Sequence, residues 1–90
     1  MGELSSLPNI GKVVEEQLMH VGIHSAGELK RVGAKDAWLR IQAIDESACI
    51  HRLMALEGAI EGVKKTQLSE ETKAELRAFY QAHKRTQRKA

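Results

Sequence analysis

The chain carries one cysteine, one proline, and one each of tryptophan, tyrosine and phenylalanine among its 90 residues. A lone thiol, Cys49, excludes an internal disulfide framework and points to the reducing cytoplasm. With so few rings the core has to be built from aliphatic side chains, and an aromatic stacking platform for single-stranded nucleic acid is not expected. No run approaches the roughly 20 apolar residues that a membrane helix needs, and the N-terminus has no secretory-signal pattern. Sustained apolar/polar alternation is also missing, so strands are not expected.

What is present reads as helix throughout. Hydrophobic residues make up 42% and charged residues 29%, enough for one globular domain with a single core. The expectation is an all-α, small compact bundle of about five to six helices over residues 1–82, followed by a basic tail over 83–90. A short first helix covers Glu3 to Leu7 and stops at Pro8. The second runs from Gly11 to His20 and carries Val14 and Leu18, with Val21 beyond, on one apolar stripe. Ser25 and Glu28 form a capping-box pair for the third, which Gly33 closes. The fourth, Lys35 to Ala43, carries Trp38, Leu39 and Ile41. The fifth is expected over Ser47 to Lys64, with Cys49, Leu53, Leu56, Ile60 and Val63 as the central stripe of the core. Its small residues, Ala55, Gly58, Ala59 and Gly62, suit a neighbouring helix at close approach. Ser69 caps the last helix, which buries Leu76, Phe79 and Tyr80.

The densest local signal is Leu7-Pro8-Asn9-Ile10-Gly11-Lys12, with Gly22-Ile23 ten residues beyond Lys12. Pro8 fixes φ before the turn, Asn9 tolerates the left-handed region and caps the following helix, and Gly11 permits a close backbone approach. A turn of this kind leaves the first N–H groups of the next helix without intrahelical partners. Beside Lys12 they make a small anion site, suited to a backbone phosphate. Asn9, Ile10, Gly11 and Lys12 are therefore the candidate DNA-phosphate contacts. Leu29 through Leu39 repeats the pattern faintly, with a turn at Gly33, which adds Lys35 as a mirror of Lys12.

This stretch resembles the helix-hairpin-helix element of DNA-repair and replication proteins. Leu7, Pro8, Ile10, Gly11, Leu18, Gly22 and Ile23 match, and Asn9 stands where the first hairpin glycine usually sits. The wider chain, through the runs from Val21 to Leu29, Val32 to Arg40 and Leu53 to Val63, resembles the C-terminal domain of the bacterial competence regulator TfoX (also called Sxy). The match extends over residues 4–80, with Leu56-Glu57-Gly58-Ala59 its most specific part. The resemblance implies a helix-hairpin-helix-like, SAM-like N-terminal half and a role in activating competence genes alongside a cyclic-AMP-responsive activator. In the family that role belongs to two-domain proteins, whereas this chain reads as a single domain.

No catalytic constellation emerges, and neither enzyme activity, a cofactor nor a metal is expected. The glycines lack P-loop or dinucleotide spacing. His20, His24, His51 and His83 make no zinc spacing with Cys49, and His20 and His24 straddle the helix stop at Gly22. Glu15-Glu16 and Glu70-Glu71 are adjacent on their helices and point apart. Cys49 reads as an inert core thiol.

The net charge of +2 divides unevenly. Lys84, Arg85, Arg88 and Lys89 form a basic tail; without them ten Lys and Arg face 12 Asp and Glu, so residues 1–83 carry −2. Two functions stay open on these grounds. The hairpin and tail favour non-specific binding to the backbone of double-stranded DNA. The acidic body favours docking to a transcription-associated protein without direct nucleic-acid contact.

Overall fold

Leu18 and Ile23 set the geometry of the N-terminal half. In the computed structural model, which describes residues 4–84, α1 spans Lys12–His20 and the chain reverses at Gly22, whose φ of +88° favours glycine. The Gly22 N–H donates to the Met19 carbonyl at 3.2 Å and the Ile23 N–H to the Leu18 carbonyl at 2.8 Å. This pair of bonds is a Schellman stop, and it folds the residue after the glycine back over the last turn. Leu18 and Ile23 are both wholly buried as a result. The Gly-Ile pair is thus a helix terminator and a core anchor at once.

The remaining elements follow from similar local chemistry. A 3-10 turn, Leu4–Ser6, precedes the hairpin. Helix α2 spans Ala26–Val32; the Ser25 hydroxyl accepts the Glu28 N–H at 3.1 Å, and the Glu28 carboxylate accepts the His24 N–H at 2.6 Å. Helix α3, Ala34–Ile44, starts directly after Gly33. Helix α4 covers Ile50–Glu61, a second 3-10 turn covers Lys65–Gln67, and α5 covers Glu70–His83 with the Ser69 hydroxyl accepting the Thr72 N–H at 3.0 Å. The described residues hold five α-helices and no strand, so the fold is all-α.

Helix α4 is shorter than the expected Ser47 to Lys64, and polar bonds explain why its start is late. The Asp45 carboxylate accepts from the Ser47 N–H at 2.9 Å and the Ser47 hydroxyl at 2.6 Å, which holds the segment as a turn. The other Asp45 oxygen accepts from Gln17 at 2.7 Å and Arg52 at 3.0 Å, and Arg52 also donates to the Gln17 side-chain oxygen at 3.2 Å. These bonds tie α1, the end of α3 and the start of α4 together. They also hold the Asp45 carboxyl well below the usual carboxylate range, the Ser47 hydroxyl being the largest cause.

The core lies where α3 packs on α4, with α5 across both. Trp38, Ile41, Leu53 and Leu56 are wholly buried at this junction. The Trp38 indole N–H donates to the Cys49 carbonyl at 3.2 Å, and its ring meets Phe79 and Tyr80 edge-on at 6.2 and 5.6 Å. Two expectations are corrected here. Cys49 is the half-buried residue that starts α4, not a member of the buried stripe, and Ile60 packs half-buried against the core instead of inside it.

Leu56→Ala should destabilise the fold by about 2–5 kcal/mol in urea or thermal unfolding. Val13→Ala, at a side chain left 63% exposed, should change stability by no more than about 0.5 kcal/mol.

Candidate nucleic-acid and partner interface

Asn9 adopts φ +70° and is the one described non-glycine residue in the left-handed region. Its side chain does not cap α1, as the sequence suggested. It turns inward and reaches the far end of α4. The Asn9 amide donates to the Val63 carbonyl at 3.0 Å and the Ala55 carbonyl at 3.4 Å, and its oxygen accepts the Lys65 N–H at 3.1 Å. Glycine at the turn would keep the backbone shape and lose all three bonds.

Gly58 makes room for this clamp. A Cβ there would lie 2.5 Å from the Asn9 amide nitrogen, 2.7 Å from the Val63 carbonyl oxygen and 3.3 Å from the Lys65 Cα. The small-residue face of α4 therefore receives the hairpin side chain and the chain that leaves α4, where a neighbouring helix was expected. Gly11, by contrast, has φ −93° and nothing within 4 Å of an added Cβ. The close approach assigned to Gly11 belongs to Gly58.

The other candidate contacts are dispersed. Ile10 is buried in the core, while Gly11 and Lys12 are exposed at the start of α1, which has no side-chain cap. Glu15 lies in the first turn of the same helix, is 91% buried, and accepts the Ser5 N–H at 3.3 Å. Its carboxylate opposes a phosphate at this terminus. The Lys35 ammonium pairs with Glu75 at 3.0 Å and sits 5.6 Å from the Phe79 ring centre. Lys84 is exposed and lies 5.7 Å from the Tyr80 ring centre; Arg85, Arg88 and Lys89 fall outside the described residues.

Lys35 also borders a groove lined by Gly33, Asp36, Glu57, Thr72 and Glu75. The Glu57 carboxyl is pushed up to about 7, first by its hydrogen bond to Glu61, then by burial and by the charges of Glu61 and Glu75. On another face, Glu16, Met19, His20 and His24 line a shallow groove, so the two histidines do come to one surface despite the stop at Gly22. Among the described residues no three His, Cys, Asp or Glu side chains gather closely enough to hold a metal ion.

The family model of the TfoX C-terminal domain matches residues 1–80. The chain belongs to that family. The fold is shared by a protein of unknown function from Listeria monocytogenes, solved in two crystal forms. The triclinic form has a TM-score of 0.87 at 51% identity, covering 88% of this chain and 90% of that one. The tetragonal form has a TM-score of 0.86 at 51% identity, covering 88% and 96%. A search of curated proteins finds no match.

Within this TfoX-type domain, one group of side chains was missed by sequence reasoning. Lys65, Lys73 and Arg77 gather beside α4 and α5. The spacing of Lys73 and Arg77, four apart on a capped helix, was the available signal; Lys65 could not be placed with them before the turn after α4 was known.

Gly58→Ala should destabilise by about 1–3 kcal/mol, since overpacking against the Val63 carbonyl outweighs the helix-propensity gain of at most about 1 kcal/mol. Gly11→Ala should cost under about 1 kcal/mol in the same chemical-denaturation assay.

Proposed function

We propose that this domain is a regulatory module of the competence-regulator type that acts by docking a partner protein, and that its hairpin is a structural clamp. The observation that carries this reading is the inward course of Asn9, whose amide is taken up by Ala55, Val63 and Lys65. The pairing of Lys35 with Glu75 and the buried carboxylate of Glu15 support it, because both lower the positive potential available for phosphates. Family membership supports a regulatory role, and the family resemblance brings in a cyclic-AMP-responsive activator as the setting for it.

A second reading rests on a different feature. Helix α1 starts without a side-chain cap at exposed Gly11, and Lys12 stands beside it with no ion pair among the described residues. That arrangement suits weak contact with a DNA backbone.

Fluorescence anisotropy with a short duplex, between about 50 and 200 mM salt, separates the two readings. Docking predicts no binding tighter than roughly 10⁻⁴ M at the higher salt, and no change in any residual low-salt binding on Lys12→Ala. Residual binding lost on deleting residues 84–90 would mark generic tail charge and leave the docking reading in place. A dissociation constant of roughly 10⁻⁴–10⁻⁶ M, with a salt slope that falls by about one unit in Lys12→Ala, would establish the DNA reading instead.

A further inference from the structure

Helix α5 has two edges of opposite character. Glu75 faces the acidic groove, while Lys73 and Arg77 face a separate groove beside α4. His51, Lys65, Lys73 and Arg77 rim that second groove, and Ile50 and Met54 line it between them. The space is about 510 Å³, within the range of about 300–1,000 Å³ common to binding clefts.

The rim is cationic and poorly neutralised. The Lys73 ammonium donates to the Thr66 carbonyl at 3.2 Å and lies 3.5 Å from the carboxylate of Glu70, which is 85% exposed and so screens it weakly. The Lys65 ammonium and the Arg77 guanidinium meet no carboxylate among the described residues. Like charges four apart on a helix repel, and among the described residues no acid pairs with Arg77. The Lys65 backbone N–H is bound to Asn9, so the hairpin clamp also sets where this side of the rim stands.

We infer that this groove docks an acidic, amphipathic segment of a partner protein, with apolar side chains on Ile50 and Met54 and carboxylates on Lys65, Lys73 and Arg77. This rests on the partner-docking reading and gives it a surface and a partner chemistry. A phosphodiester chain would satisfy the rim but leave the apolar lining without a partner. A helix or strand with one apolar and one acidic face satisfies both. Ile50 is half-buried and Met54 nine-tenths buried, so Ile50 supplies most of the accessible apolar lining.

The test is an amide NMR titration of the full chain with a synthetic helical peptide carrying leucines on one face and flanking glutamates. Two counterparts carry glutamine or lysine in place of glutamate. Shifts should centre on Ile50, Met54, Lys65 and Arg77, and the glutamate peptide should bind about tenfold or more tightly than the glutamine one. Lys65→Glu with Arg77→Glu should reverse the preference toward the lysine peptide. These substitutions lie at the rim, and unchanged cooperative unfolding would show that the variant is folded. If the substitutions unfold the chain, Lys65→Gln with Arg77→Gln should still remove the preference for glutamate.

Shifts centred elsewhere, or a preference that ignores the substitutions, would overturn the groove as the docking site while leaving partner docking to another face. Stronger shifts at the same residues from duplex DNA would overturn the acidic occupant in favour of a phosphate backbone. Salt-dependent DNA binding that requires Lys12 would overturn the underlying docking reading itself.

Discussion

The three hydrogen bonds of the Asn9 side chain are the interaction on which the rest of the arrangement depends. They join the first turn of the chain to residues 46, 54 and 56 positions further on. A buried carbonyl without a donor, or a buried N–H without an acceptor, costs about 1–3 kcal/mol. The chain leaving α4 at Gly62 exposes such groups, and Asn9 satisfies the Val63 carbonyl and the Lys65 N–H together while adding a second donor to the Ala55 carbonyl. The backbone strain of a non-glycine residue at positive φ is offset by bonds that glycine could not make. Gly58 is the complement of this choice, since any side chain there would occupy the space of the amide.

Charge distribution follows from the packing. Of the cations that the sequence offered for phosphate binding, Lys35 is neutralised by Glu75 and Lys12 stands near the buried carboxylate of Glu15 on the same helix. Acidic side chains from α3, α4 and α5, those of Asp36, Glu57 and Glu75, converge on one groove. Lys65 and Arg77, which meet no carboxylate among the described residues, lie together at the groove along the other edge of α5. A slightly acidic body can therefore still present a local positive surface, which net charge alone would not reveal.

Much of the fold was legible because its signals are local. Ser25 and Ser69 announced caps, Gly22 and Gly33 announced stops, and the apolar period placed Leu53, Leu56 and Trp38 in the core. The late start of α4 was hidden because Asp45 answers to Gln17 and Arg52, 28 and 7 residues away, as well as to Ser47. The candidate site was legible only in part. Leu7 to Lys12 announced a hairpin with a left-handed Asn9, but the direction of the Asn9 side chain depends on α4, which sequence spacing could not bring near. The same limit separated Lys65 from Lys73 and Arg77 and hid the exchange of roles between Gly11 and Gly58.

Amide hydrogen exchange at Lys65 reports on whether Asn9 clamps the hairpin to the end of α4. The Lys65 N–H lies at the start of a short 3-10 turn, and the acceptor it has is the Asn9 oxygen at 3.1 Å. In the wild type this amide should exchange slowly. Asn9→Gly should abolish the protection while the amides of α3 at Trp38 and Ile41 stay protected. A Lys65 amide that exchanges as fast in the wild type as in Asn9→Gly would contradict the clamp.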